Sequence, residues 1–218
     1  MSHLKITPAN TSVIICCAGM GTRLGIGTTK ALVDVCGEPL IIRQLQLLDD
    51  YDDVRIVAGY QAEKLINIVN EYRKDIMFVF NYNFETTGVA DSLRKGLLGA
   101  REYFLSLDGD LLVNPDDFAA FARCGEECLP VCDISSAEPV LAAVEDGMIT
   151  NLSWETGTCQ WPGIVKMRSD KFTGDAHNVF EVVSSNFPMK AFPVRAKEID
   201  TPEDYDAAIE WFENGCKE

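Results

Sequence analysis

Positive charge is scarce in this chain. Over 218 residues, 19 Lys and Arg stand against 34 Asp and Glu, a net charge of −15. Nucleic-acid backbones are held mainly by Lys and Arg neutralising phosphates, so this balance excludes a general DNA or RNA binder. No apolar run approaches the ~18 residues that cross a bilayer, so no membrane insertion is expected. The opening MSHLKITPANTS has one Lys and no apolar core of a secretory signal, which points to a cytoplasmic protein. There are only two histidines. His3 is read as part of a tail and His177 as structural, and neither is assigned to catalysis. The eight cysteines include no CxxC pair. Cys124, Cys128 and Cys132 recur every four residues, but Pro130 would break a helix that aligned them. They are read as buried apolar thiols rather than zinc ligands, and all eight as reduced thiols. Linkers, repeats and low-complexity tracts are missing too, so residues 1–218 are expected to form one domain.

What is present has a globular balance, 47% hydrophobic and 24% charged, which excludes disorder, collagen and coiled coil. Residues 12–17, SVIICC, read as a buried strand running into a glycine turn at Gly19. Residues 39–48 read as a helix with Pro39 in its first turn. Strands are then expected at 54–58, 77–80 and 103–107, and helices at 62–72 and 90–100. Alternating strands and helices with short connections imply βαβ units, hence a Rossmann-like, mostly parallel sheet with helices on both faces. After Asp117 the pattern changes. Strands at 140–145 and 148–152 flank Asp146-Gly147, a hairpin signal. Further strands are expected at 164–167 and 190–195, and a closing helix at 202–212. This second part reads as a smaller, mixed β subregion.

The chemistry concentrates in residues 18–32, AGMGTRLGIGTTKAL. A glycine turn after the first strand of a parallel sheet lies at the edge where ligands bind. Glycines let backbone N–H groups approach phosphate oxygens. Arg23 can fork onto a phosphate, and Lys30 adds a second, point-like charge. The pattern is neither a Walker loop, since Ala31 follows Lys30, nor a dinucleotide fingerprint, since the third glycine is missing and no helix is expected to begin there.

AGMGTRLG followed by TTKALVDVCGEPLI resembles the opening signature of the nucleotidyltransferases that couple an NTP to a small phosphorylated compound. Those include sugar-1-phosphate nucleotidyltransferases and cytidylyltransferases acting on phosphocholine, aminoethylphosphonate, inositol phosphate or methylerythritol phosphate. The resemblance implies that Ala18, Gly19, Gly21 and Thr22 wrap the triphosphate and that Arg23 and Lys30 bind it through the transition state. Residues 81–96, NYNFETTGVADSLRKG, resemble the segment that lines the base and ribose pocket. That implies nucleotide contacts from Thr87, Gly88, Asp91 and Ser92; alternatively these residues only cap a helix. LSLDGDLL places Asp108 and Asp110 just past a strand, on the same side of it. Such paired carboxylates suit Mg²⁺, which prefers hard oxygen ligands. The resemblance assigns the metal chiefly to Asp110, Asp108 to the nucleotide, and the second metal ligand to Asp200 in EIDTPEDY.

The reaction implied is in-line attack by an acceptor phosphate or phosphonate oxygen on the α-phosphorus of an NTP, with pyrophosphate leaving. The short spacing from Arg23 to Lys30 resembles the cytidylyltransferases more than the sugar-phosphate enzymes, which favours CTP over UTP, GTP or dTTP. Residues 152–167 resemble the acceptor side of phosphocholine-type enzymes. Trp154, Trp161 and Glu155 are candidates for a cationic head group; the tryptophans could equally fill the core. Lys166, Lys190 and Arg195 are candidates for the acceptor's phosphate. The rival readings are a glycosyltransferase using Asp108-Gly109-Asp110 and a non-catalytic nucleotide-binding module.

Overall fold

The computed structural model describes residues 5–217, and His3 lies outside them. The apolar run at the start forms β1 (Thr11–Cys17), and a small ribbon of β2 (Asp34–Val35) and β3 (Glu38–Pro39) leads into α1 (Leu40–Gln46). Pro39 caps that helix from outside. There follow β4 (Val54–Ala58), α2 (Ala62–Tyr72), β5 (Ile76–Phe80), α3 (Val89–Gly96) and β6 (Tyr103–Asp108). These match the expected order, with boundaries shifted by a few residues at α1 and α3. Next come β7 (Leu111–Val113), α4 (Pro115–Arg123), β8 (Cys128–Val131), the hairpin β9 (Leu141–Glu145) and β10 (Met148–Ser153), then β11 (Cys159–Gln160) and β12 (Val165–Arg168). The chain closes with α5 (Val179–Ser184), β13 (Met189–Pro193), β14 (Ala196–Glu198) and α6 (Pro202–Glu213).

Strands β6, β1, β4 and β5 are parallel neighbours, the doubly wound half. The mixed half does not form a separate layer. β12 pairs antiparallel with both β6 and β8, and so extends the sheet to ten strands in the order β11-β9-β10-β13-β8-β12-β6-β1-β4-β5. The hairpin turns at Asp146-Gly147, both at positive φ as a tight two-residue turn requires.

Alternate residues of β1 explain why its sequence is apolar from Val13 on. Val13, Ile15 and Cys17 pack with Ile41, Leu45, Leu65 and Phe118 on the face covered by α1, α2 and α4. Ile14 packs with Leu93 of α3 and Val183 of α5 on the other. A strand covered on both faces has no solvent side to make polar. Each such aliphatic side chain contributes roughly 1.5–3 kcal/mol by leaving water. A third cluster, of Leu24, Val33, Val35, Leu40 and Trp211, anchors the glycine loop on α6.

β2, β3, α4, α5, β7, β8, β11 and β14 were not anticipated. α4 did carry a signal: Asn114 caps it by accepting from Asp117 N, and Pro115 occupies its first turn. All eight cysteines are free thiols, and Cys128 and Cys132 lie inside the core.

Candidate active site

The carboxyl ends of β1 and β6 lie side by side, with Cys16 opposite Asp108. The glycine loop leaves β1 there, and a cavity of about 300 Å³ opens above the strand ends. Its wall includes Gly19, Gly21, Thr22, Arg23, Lys30 and Asp110. A second cavity of about 420 Å³, between Cys132, Arg195 and Trp211, has neither the loop nor its cations.

Gly21 has φ +61, and a Cβ there would meet Lys30 Cγ at 2.9 Å. Glycine therefore lets the loop fold down against the lysine stem. Leu24 inserts into the core beneath, and Gln61 holds the loop from outside by donating to Gly27 O at 2.9 Å.

Asp110 and Asp200 arrive by different routes. Asp110 sits in the turn between β6 and β7. Asp200 follows β14, which pairs antiparallel with β7, and Ile199 N donates to Asp110 O at 2.9 Å. Thr201 then caps α6 in a reciprocal pair with Asp204. The strand therefore stops where it must deliver the carboxylate.

Lys30 lies between these two groups, its Nζ 2.9 Å from Asp110 Oδ2 and bonded also to Asp200. Burial works to lower the lysine pKa, but the two carboxylates outweigh it and hold it above the ordinary value. Arg23 reaches across the mouth, 3.0 Å from Asp200 Oδ2 and 3.0 Å from Glu138 Oε2. Asp108 lies deeper. Burial first, then Asp110 and Glu198, push its carboxyl well above the usual range. Gly163, at φ +78, backs onto it: a Cβ there would come within 2.4 Å of Asp108 Oδ2.

The expected base-side residues serve one another. Asn81 donates to Thr87 Oγ1 and Ser92 Oγ, and Gly88 N donates to Asp91. The backbone carbonyl of His177 accepts from Ala90 N, and its ring lies against Gly88. From this segment Val89 reaches the cavity wall.

Several acceptor-side expectations are corrected. Trp161 is 5% exposed, in the core, and donates to Ile164 O at 2.9 Å, so its indole has no free face. Lys166 is fully buried on β12. It donates to Phe121 O and to Cys124 O at 2.6 Å, capping the last turn of α4. Strand alternation turns it into the core, not toward a ligand. Lys190 pairs with Glu126 and Arg195 with Asp117, both outside the cavity wall. Trp154 is 57% exposed against Phe180, and Glu155 is in the same exposed turn. They form no cage with Trp161.

Glu198, Glu138, Gly163 and Gln44 were not singled out from sequence. Glu198 had a signal, since it precedes Asp200 by two on an extended strand and shares its side. Burial, then Asp110 and Asp200, raises its carboxyl to about 7.

A glycine loop with two cations, facing two carboxylates at the carboxyl edge of a doubly wound sheet, is the arrangement of a nucleotidyl-transfer fold. The chain belongs to the MobA-like NTP transferase domain family, whose model matches residues 13–153. Bifunctional protein GlmU of Wolinella succinogenes is 30% identical over 122 residues, which cover 54% of this chain and 28% of GlmU. The chain thus spans under a third of that relative's length. The CTP:phosphocholine cytidylyltransferase of Streptococcus pneumoniae superposes with a TM-score of 0.77 at 19% identity, over 93% of this chain and 99% of its own. The inositol-1-phosphate CTP transferase of T. maritima gives 0.77 at 18%, over 94% and 97%.

Proposed function

We propose that this protein transfers CMP from CTP to the phosphate or phosphonate oxygen of a small acceptor, releasing pyrophosphate. One observation carries the reading. Three remote segments bring Lys30, Asp110 and Asp200 together at the rim of a glycine-lined cavity. A glycosyltransferase reading uses the carboxylates but leaves Arg23 and Lys30 without a triphosphate to hold. The short Arg23–Lys30 loop favours CTP, and the two superposed structures named above are CTP enzymes.

The residues fit Mg²⁺. Asp110 and Asp200 already converge on one cation, the Lys30 ammonium. Among the described residues no cluster of three or more His, Cys, Asp or Glu forms a complete site. A metal held by these two carboxylates would be completed by substrate oxygens and water. When bound there, Mg²⁺ would supply charge neutralisation at the triphosphate.

The chain's own part is positioning and charge. Ala18, Gly19, Gly21 and Thr22 line the approach of the triphosphate. Arg23 and Lys30 turn from their carboxylates onto phosphate oxygens and stabilise the charge that grows as the α–β bond breaks. Thr87, Gly88, Asp91 and Ser92 shape the nucleoside end, beside Asp108. An anionic acceptor oxygen needs no strong base. With Trp161 and Lys166 in the core, the acceptor side rests on Trp154, Glu155 and Glu198.

The test is pyrophosphate release with Mg²⁺ across CTP, UTP, GTP and dTTP against phosphocholine, aminoethylphosphonate, inositol phosphate and hexose-1-phosphates. CTP with a non-sugar acceptor is expected to lead. A sugar-1-phosphate with UTP, GTP or dTTP leading would replace the substrate assignment, and no release with any pair would remove the enzyme reading.

A further inference from the structure

We infer that Gln44 on α1 is a positioning residue for the turn that presents Asp110. Its Nε2 donates to Asp108 O and to Leu111 O, both at 2.8 Å. One amide group therefore ties both ends of Asp108–Leu111, and Asp110 stands inside the bracket. Of the two halves of the glutamine amide only the NH₂ can donate to carbonyls, which fixes the orientation of the amide.

The other half of that amide is the telling part. Gln44 is 1% exposed, and its Oε1 has no hydrogen-bond partner among the described residues. An orphaned buried oxygen costs stability. Leu or Met would fill the same space on a helix packed against the core, without that cost. The glutamine is explained by what its donor does for the turn.

The same helix reaches the other side of the site. Arg43, the preceding residue, donates through Nε to Val35 O at 2.7 Å and through Nη2 to Cys36 O at 3.1 Å, in the segment that follows Lys30. α1 therefore sets the spacing between the lysine segment and the Asp110 turn. The rest of the turn is held by backbone: Gly109 N donates to Cys16 O at 3.0 Å, and Asp110 O accepts from Ile199 N. Without Gln44 the turn stays attached to both neighbours, but its two ends are free to shift against α1, and the Asp110 carboxylate shifts with them.

The catalytic half of this inference rests on the proposed nucleotidyl transfer, and the structural half does not. The experiment compares wild type with Gln44→Met, which keeps size and loses donor and orphan alike, and with Gln44→Glu, which keeps shape and loses the donor when ionised. Amide hydrogen exchange on the ligand-free proteins is expected to speed up about tenfold or more at Gly109–Leu112 in Gln44→Met and to stay unchanged in β1 and β4. Calorimetric titration with Mn²⁺ and a non-hydrolysable NTP should show metal affinity weakened about tenfold. In turnover, kcat should fall about tenfold while KM for the NTP stays within twofold. Unchanged exchange in the turn of a folded Gln44→Met, or a superimposable metal titration, would overturn the inference. So would loss of the fold in both variants, which would make Gln44 a core residue. A wild type inactive with every nucleotide would sink the proposed function and leave the exchange result to decide the role of Gln44.

Discussion

Lys30 Nζ and Asp110 Oδ2 meet at 2.9 Å although 80 residues separate them in the chain. The lysine is bonded to Asp200 as well. The cation proposed for phosphate thus pairs with both carboxylates proposed for the metal. One lysine against two carboxylates leaves their charges partly cancelled at this half-buried spot of a −15 protein. On the proposed reading Asp110 and Asp200 would hold the metal and Lys30 the phosphates, each giving up its present partner.

Lys30→Ala removes a contact to charge that develops in the reaction. Such contacts contribute ~3–4 kcal/mol, so kcat/KM should fall roughly 10²–10³-fold. The measurement is steady-state pyrophosphate release, with a thermal melt showing that the variant remains folded. Near-normal turnover would remove Lys30 from the mechanism.

Asp110→Asn and Asp200→Asn should each abolish Mg²⁺-dependent turnover and leave the circular dichroism spectrum of the fold intact. One carboxylate is a poor Mg²⁺ site, so neither can substitute for the other. EDTA should silence the wild type, and added Mg²⁺ should restore it. Activity indifferent to EDTA would contradict the metal assignment.

Trp161→Ala and Lys166→Met test the corrected acceptor side. The first opens a cavity in the core and should cost ~3–5 kcal/mol. The second strips two α4 carbonyls of their donor, at roughly 1–3 kcal/mol. Urea unfolding reads both losses. Neither variant should change KM for the acceptor in the folded fraction, whereas a tenfold rise with Lys166→Met would return that lysine to the binding site.

Asp53 gives a pH signature away from the site. It pairs with Arg55, which is 4% exposed and also donates to Gly96 O, Leu98 O and Gly99 O. Burial works to raise the Asp53 pKa, but Arg55 and Ser12 outweigh it and leave it below the ordinary 3.8. The unfolded chain therefore protonates first as pH falls. The stabilisation is complete above 3.8 and is lost as pH drops through the lowered value. Asp53→Asn should cost ~3–5 kcal/mol at neutral pH by leaving Arg55 uncompensated. Melts across pH should show the two proteins converging at the acid end; a gap independent of pH would refute the linkage.

The parallel half was readable because its strands are covered on both faces and its helices are periodic. Runs such as Val54–Ala58 and Ala62–Tyr72 carry their structure locally. The loop cations were readable because Arg and Lys beside clustered glycines have few other uses. The acceptor side was not. Trp161 and Lys166 have residue types that suit a binding pocket, and what puts them in the core is that residues 161–167 run through the sheet with both faces covered, in a place set by pairing with β6 and β9 from far away. Gln44 was hidden for a similar reason. Its partners are backbone carbonyls of a turn more than sixty residues on, and carbonyls leave no mark in a sequence.

The pairing of β14 with β7 gives the site a birth order. The glycine loop and the Asp110 turn belong to the first strands made, and they can dock with α1 as soon as β6 joins β1. Asp200 reaches them only when β14 lies down along β7. At about 5–20 residues per second, a ribosome needs on the order of 5–20 s to travel from Asp110 to Asp200. Through that interval Asp110 is the only one of the two carboxylates that exists to meet Lys30. The proposed metal site is therefore complete only once β14 has paired with β7.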